Sequence, residues 1–259
     1  MKKLFIMMLL CATMAYFPSC EKEGPTLGKS NYTLRSEEST TIEGMGLSGV
    51  VWSSNNEFVA TAENDVLTSN KVGSTTLSCG DAVISVTVKP RCTLYNEPYV
   101  SWGCSISSIK SQYGQPYSET DTSLIYQTAN SAAPLIIYMF ENNCLTSYGV
   151  VVPLSYGDIL VDFIAERYVI VAVEGTTATF VHAYGKFSDP QIDYWGQMAY
   201  SNSIEGFIVM YVPYNNTSNS ADGQNTITLD LEESRSMKSN TCFTNIENAI
   251  INSNLVKPL

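Results

Sequence analysis

The chain has 259 residues, of which 44% are hydrophobic, and its 25 acidic and 14 basic residues give a formal net charge of −11 at pH 7. Such an acidic surface repels a phosphate backbone, so nucleic acid is excluded as a partner. The length fits one or two domains, and the apolar content allows a sizeable core and argues against a largely disordered chain.

The N-terminus predicts export from the cytoplasm. Lys2 and Lys3 precede the apolar run Leu4–Phe17, which as a helix would span about 21 Å and fall short of a hydrocarbon core of about 30 Å. A positive head followed by a short apolar run is typical of a secretory signal peptide rather than a membrane span. We therefore expect residues 1–19 to be a signal peptide, whose removal would leave 12 basic and 25 acidic residues.

The end of that run carries a cysteine motif. Phe17-Pro18-Ser19-Cys20 resembles the lipobox of bacterial lipoproteins, which implies that Cys20 is the lipid attachment site and that its acyl chains hold the protein on a membrane. The following Glu21-Lys22-Glu23 resembles an acidic tag that sends lipoproteins outward in some Gram-negative lineages. The resemblance implies a lipid anchor in the cell outer membrane, with periplasmic and surface display both open. The alternatives are an ordinary cysteine after a cleaved signal, and chance charges in a solvated linker at residues 20–25.

Residues 26–89 predict a β-sandwich or barrel. Short strand-like runs are separated by turn residues every eight to twelve positions, which is the pattern of those folds. In the last run Ile84, Val86 and Val88 share one face, and because they are apolar and β-branched we expect that face to be buried.

Four motifs in this segment resemble, in the same order, those of bacterial Ig-like domains of the second group. The motifs are Val51-Trp52-Ser53-Ser54, Val59-Ala60-Thr61, Gly73-Ser74-Thr75-Thr76-Leu77 and Val86-Thr87-Val88. The resemblance implies an Ig-like β-sandwich that serves as a stalk, spacer or adhesin unit. Trp52 is then expected in the core rather than at a ligand.

Residues 90–230 predict an α+β domain with two units of a helix followed by strands. The first helix is expected from Gly103 to Tyr113, before Gly114. The second is expected from Gly157 to Tyr168, begun by a capping box of Ser155 and Asp158. Its predicted buried stripe consists of Ile159, Leu160, Phe163 and Ile164, and Asp162, Glu166 and Arg167 are expected to face solvent. The strands are expected in these runs: "SLIYQT", "PLIIYMFE", "CLTSYGVVVP", "YVIVAVEG", "TATFVHAYG", "IDYWGQMAY" and "GFIVMYVPY".

The predicted fold class is therefore β-rich and two-domain: an Ig-like β-sandwich followed by an α+β domain of helices packed on an antiparallel sheet. The repeated layout, with the phrases "YGQPY" and "YMFENNCL", resembles small envelope lipoproteins and secreted inhibitors of the β-lactamase-inhibitor type. Residues 231–259 form a C-terminal tail in which the spacing of Phe243, Ile246 and Ile250 predicts a possible helix.

Catalytic and metal motifs are missing from the sequence. The single histidine, His182, lies in a strand-like run, and no sequence motif pairs it with a nucleophile. No metal-ligand spacing or phosphate-binding loop occurs, so we predict no catalytic residue, metal or cofactor. After loss of residues 1–19, five cysteines remain besides Cys20. Cys104 and Cys144 are the pair that we propose as a disulfide, although the spacing of the cysteines does not determine which of them pair.

Aromatic residues give the positive signal for function. The chain has 16 tyrosines and three tryptophans, and most of them follow Pro90. Tyrosine and tryptophan stack on sugars and anchor protein interfaces, so Trp102, Tyr194 and Trp195 are candidate ligand-binding residues. The alternative is that these rings fill the core. We expect a non-enzymatic, membrane-anchored lipoprotein that binds a glycan or an envelope protein, with the Ig-like domain as spacer. An inhibitor or assembly factor that binds an envelope protein through its sheet face is the alternative.

Overall fold

The fold is seen in a computed structural model, which describes residues 24–97, 101–214, 231–253 and 255. The predictions for residues 1–23, including those on Cys20, lie outside the described residues. The described part of the chain is β-rich, with 50% strand and 16% helix, and it includes a large antiparallel sheet, as predicted.

Nine short strands form the first part of the described chain, here called the N-terminal sheets. They pair into a four-stranded sheet in the order β2-β9-β8-β5, a three-stranded sheet β3-β7-β6 and a two-stranded sheet β1-β4. Strands β2 and β9 run parallel, and the other pairs run antiparallel. The strands are β1 (Thr26–Leu27), β2 (Asn31–Arg35), β3 (Ser39–Thr41), β4 (Gly44–Met45), β5 (Ser53–Ser54), β6 (Ala60–Glu63), β7 (Val66–Ser69), β8 (Gly73–Cys79) and β9 (Ala82–Lys89).

The four-stranded and three-stranded sheets share one hydrophobic core. Ile84, Val86 and Val88 of β9 are buried in it, as the alternation of β9 predicted. Trp52 also lies in this core, and its Nε1 donates a hydrogen bond to the carbonyl of Asn64 at 2.7 Å. Its ring is therefore a core element, as expected.

Eight strands form one antiparallel sheet, here called the large sheet, in the order β10-β11-β12-β13-β17-β16-β15-β14. The seven strand runs named above all fall in it. A two-residue turn joins β12 to β13 at Asn142 and Asn143, both with positive φ, which asparagine tolerates. The strands are β10 (Ser118–Thr120), β11 (Ser123–Gln127), β12 (Leu135–Glu141), β13 (Cys144–Pro153), β14 (Val169–Glu174), β15 (Thr177–Lys186), β16 (Asp189–Ser201) and β17 (Gly206–Pro213).

Helices lie on both faces of the large sheet. Helices α1 (Ile106–Tyr113) and α2 (Gly157–Ala165) pack on one face, and α3 (Leu231–Asn252) packs on the other. Because side chains alternate along a strand, β13 contributes Val150 to the first face and Val151 to the second. The large sheet therefore has two separate hydrophobic cores.

The helix boundaries correct three predictions. Helix α1 begins at Ile106 rather than Gly103, because Ser105 caps it and Gly103 instead donates its N–H to the carbonyl of Leu145 at 3.0 Å. The Ser155–Asp158 capping box is wrong, because a 3-10 turn over Leu154–Tyr156 leads directly into α2 and no side chain caps it. Ile159 was predicted to belong to the buried stripe of α2, but it is exposed.

Glu166 and Arg167 were expected to face solvent, and this is wrong, since only 6% of Glu166 and 12% of the Arg167 side chain are exposed. Glu166 is the C-cap residue of α2 and keeps a helical backbone, and the N-terminal sheets and the segment after β9 cover its side chain. One carboxylate oxygen, Oε2, accepts from Ser36 Oγ at 3.2 Å and from the N–H of Arg91 at 2.7 Å. The other, Oε1, accepts from the N–H of Cys92 at 3.3 Å and from Arg167. Glu166 thus connects the N-terminal sheets, the segment after β9 and the end of α2.

A second contact joins the N-terminal sheets to the turn between β15 and β16. The N–H of Glu57 donates to the carbonyl of Gly185, and the N–H of Phe187 donates to Glu57 Oε2, both at 2.8 Å. The rings of Phe58 and Phe187 meet edge to face with centroids 4.9 Å apart. The N-terminal sheets and the large sheet therefore touch at two places besides the chain connection.

Candidate functional site

The three candidate aromatic residues lie on opposite faces of the large sheet. Trp102 and Tyr194 pack against the core beneath α1 and α2, with centroids 6.3 Å apart and rings tilted by 55°. Trp195 follows Tyr194 in β16 and therefore points to the α3 face, where only 8% of it is exposed. The structure does not bring these rings together into one platform for a ligand.

The rings beneath α1 and α2 form a packed layer. Tyr148 stacks on Tyr211 at 4.5 Å, and Trp102 stacks on Tyr148 at 5.7 Å. The hydroxyl groups of Tyr95 and Tyr211 are 2.6 Å apart. Burial raises the pKa of Tyr95 and of Tyr211 far above the usual value, so both stay protonated. This layer agrees with the alternative that the rings fill a core.

His182 lies at the edge of that layer. Its Nδ1 is 2.7 Å from Asp193 Oδ1, and its ring stacks on Tyr194 with centroids 4.9 Å apart. This is the arrangement expected of a strand histidine held by one hydrogen bond. Among the described residues, the hydrogen bond of the His182 ring goes to a carboxylate and not to a serine or cysteine.

A groove of about 1130 Å³ lies on the opposite face, between the large sheet and α3. Its walls come from the β10–β13 side of the sheet, from the end of β17 and from α3. Sites of this kind, concave and partly formed by one element laid over another, are the usual places for ligands. It is the candidate functional site.

The groove opens where the large sheet divides. Pairing between β13 and β17 ends at Tyr148 and Tyr211. The outer pairs continue further, since β12 and β13 pair as far as Cys144 and β16 and β17 pair as far as Pro213. The two parts of the sheet therefore separate beyond Tyr148. We call this opening the fork.

Helix α3 presents two stripes, one apolar and one polar. Ile246 and Ile250 are fully buried against the sheet. Ile246 fits because its contact on β13 is Gly149, where an added Cβ would lie 2.9 Å from Ile246 Cγ2. The polar stripe has positions four, three and four residues apart, which share one side of a helix. It consists of Thr241, Asn245, Asn248 and Asn252, all of which line the groove.

The lining of the groove mixes polar and apolar groups and is almost without charge. Facing the α3 stripe are hydroxyl groups of the sheet and four aromatic residues, one of which is Phe140. Glu141 is the one charged side chain that lines the groove among the residues the structure describes. The hydroxyl residues are Ser118, Thr120, Thr122, Ser123, Thr146 and Ser147, and the aromatic residues Trp102, Trp195 and Tyr214 stand nearer the fork. Such a lining provides many hydrogen-bond donors and acceptors and little to bind an ion.

Cys104 and Cys144 are free thiols rather than a disulfide. Cys104 packs against the core beneath α1, beside Leu145. Cys144 precedes Leu145 in β13 and points the other way, where it is exposed. The predicted pair is therefore not formed, because the two side chains lie on different sides of β13.

Sequence reasoning missed the residues that shape the groove. The spacing of Asn245 and Asn248 beside Ile246 and Ile250 was a usable signal, because it places an amide stripe next to an apolar stripe on one helix. In the described ranges, no three histidine, cysteine or acidic side chains lie close enough to hold a metal ion. None of the helices there combines the length and the apolar character needed to cross a bilayer.

The sequence matches none of the protein-family models and none of the curated proteins with which it was compared. Function therefore has to follow from the shape and the lining of the groove.

Proposed function

We propose that the chain is a non-enzymatic envelope lipoprotein that binds a glycan or a protein in the groove between the large sheet and α3. The observation that carries this proposal is the groove itself, an open space of about 1130 Å³ lined by hydroxyl, amide and aromatic groups. A space of this size and lining suits a ligand larger than a metabolite.

The remaining parts of the chain would place that groove at a membrane. Cys20 would carry the lipid anchor and hold the protein on the outer membrane, facing either the periplasm or the outside. Residues 26–89 would act as an Ig-like spacer. In support of that fold, two sheets share one core, and the parallel pair β2–β9 joins its first and last long strands. Residues 90–230 would form a separate α+β domain that carries the site.

An inhibitor that grips an enzyme through its sheet face has weaker support. Helices α1 and α2 pack on one face of the large sheet, and α3 packs on the other. A partner would find no complete sheet face to contact. The groove and the edge strand β14, where Val173 is 70% exposed, are accessible parts of that surface.

A variant that fills the groove tests the proposal. Asn248→Trp would place a large ring in the groove, and Thr244→Trp would place the same ring at an exposed position of α3 that does not line it. We expect the parent and Thr244→Trp to be retained on a glycan array or by solubilised envelope proteins, and Asn248→Trp to lose that retention. Equal retention of both variants would refute the groove as the site. For the anchor, mass analysis of the native protein should show an acylated N-terminal residue at position 20, and Cys20→Ser should abolish it.

A further inference from the structure

We infer that the ligand of the groove is a neutral oligosaccharide, recognised by the amide stripe of α3 rather than by tryptophan stacking. This inference rests on the proposed function and specifies its ligand class. Three features of the groove carry it: its lack of charge, the spacing of its amides and the occupied strand edge at the fork.

The charge of the groove differs from that of the chain. The chain has 25 acidic residues and a formal net charge of −11, yet Glu141 alone brings a charge to the described lining. An acidic polysaccharide would be repelled by the chain as a whole, and no cation lies among the described lining residues of the groove. A basic peptide would find a single carboxylate. An uncharged ligand would be neither attracted nor repelled by these charges, and its hydroxyl groups need only polar partners for hydrogen bonds.

The amides are arranged to contact several hydroxyl groups in a row. Each carboxamide has two donor hydrogens and an acceptor oxygen, so it can both give to and accept from a sugar hydroxyl. Asn245, Asn248 and Asn252 lie along one line of α3, and at about 1.5 Å per residue they span about 10 Å. That length exceeds one sugar ring. The stripe therefore fits a chain of sugars laid along the helix.

The two tryptophans that line the groove offer little ring surface for a sugar to stack on. Trp102 is half-buried and stacks on Tyr148, and only 8% of Trp195 is exposed. Asn245 and Asn248 of α3, in contrast, are exposed. The α3 stripe therefore offers more accessible groups for recognition than the tryptophan rings do.

A peptide strand is disfavoured at the fork. Peptides that add to a sheet need an open row of backbone N–H and C=O groups. At Leu145 of β13 that row is already used, because the Leu145 carbonyl accepts from the N–H of Gly103 at 3.0 Å and its N–H donates to Cys104 at 2.9 Å. Sugars need no strand edge, so the occupied edge does not exclude them.

Titration calorimetry on the mature full-length chain tests the ligand class. The probes are neutral hexasaccharides of glucose, mannose and xylose, with an oligogalacturonate hexasaccharide as the acidic counterpart, each at 50 and 500 mM NaCl. We expect at least one neutral probe to bind with less than a twofold change between the two salt concentrations. Asn245→Ala and Asn248→Ala should each weaken binding about five- to tenfold, the loss of one or more hydrogen bonds. The matched control Thr244→Ala, on the same helix but outside the groove, should bind like the parent.

The outcomes separate this inference from the proposed function. Binding of the acidic probe alone, strong salt dependence, or parent-like binding by both Asn variants overturns the inference. If no sugar probe binds while Asn248→Trp abolishes capture of an envelope protein, the ligand class is wrong and the groove remains the site. If Asn248→Trp changes no binding of any kind, the proposed function fails as well.

Discussion

Replacing Glu166 with alanine should cost more stability than any surface change in the chain. Its carboxylate is buried and accepts hydrogen bonds from Ser36, from the N–H groups of Arg91 and Cys92, and from Arg167. The Arg167 side chain is itself only 12% exposed. Alanine would leave a largely buried cation without its carboxylate and two partly buried N–H groups without this acceptor.

The magnitude follows from these contacts. Removing one partner of a buried ion pair costs about 3–5 kcal/mol. Glu166→Gln keeps the volume but turns an NH₂ group toward donors, so it should cost about 1–3 kcal/mol, the value of a buried group left unsatisfied. Asp162→Ala is the matched control, since Asp162 lies one turn earlier and is exposed, and it should change stability by less than about 0.5 kcal/mol.

Urea denaturation at pH 7, with linear extrapolation to zero denaturant, measures the three free energies of unfolding. The expected order of destabilisation is Glu166→Ala, then Glu166→Gln, then Asp162→Ala. A Glu166→Ala variant within 1 kcal/mol of the Asp162→Ala control would refute the reasoning, because it would mean that the buried carboxylate contributes no more than an exposed one.

Three further predictions concern pH, packing and thiol reactivity. Burial opposes ionisation of Glu166, but hydrogen bonds from its neighbours outweigh this effect and hold its pKa below the usual value. The contribution of the ionised carboxylate to stability is therefore complete above the unfolded pKa of about 4.3, and it is lost as the pH falls through the lower folded pKa. The urea midpoint of the parent should therefore fall more steeply below about pH 4 than that of Glu166→Gln, and parallel curves would contradict this. Gly149→Ala should cost about 1–3 kcal/mol, because the new Cβ would lie 2.9 Å from Ile246 Cγ2; a double-mutant cycle with Ile246→Ala should show favourable coupling, and additive losses would argue against the clash. Burial, reinforced by the neighbouring carboxylate, raises the pKa of Cys92 to about 11, so iodoacetamide at pH 8 should alkylate the exposed Cys144 first in peptide mass analysis, and earlier alkylation of Cys92 would disprove it.

Local patterns predicted the strands well. In β9 the alternation of Ile84, Val86 and Val88 with polar residues fixed the buried face, because strand geometry repeats every two residues. The turn at Asn142 and Asn143 also has a local cause, since few residues other than glycine accept the positive φ that it needs. Both signals are carried by neighbours in the sequence.

Contacts between distant residues were beyond these patterns. Glu166 is buried by Ser36 and Arg91, which lie far from it in the sequence. Its helical spacing from Asp162 indicated an exposed side chain, but the N-terminal sheets and the segment after β9 cover that side of the helix end. The fork also depends on contacts between residues that are distant in the sequence. The sequence of β13 predicts a strand, but it does not predict which residues of that strand pair with β17.

The two contacts between the N-terminal sheets and the large sheet have a mechanical consequence. With the chain connection at Pro90 alone, the N-terminal sheets could rotate relative to the large sheet. The contacts at Glu166 and at Phe187 add two more points of attachment, and three points leave no free axis of rotation. The groove would then keep a fixed orientation relative to the N-terminal sheets. A ligand bound in the proposed site would be held in a constant direction relative to those sheets.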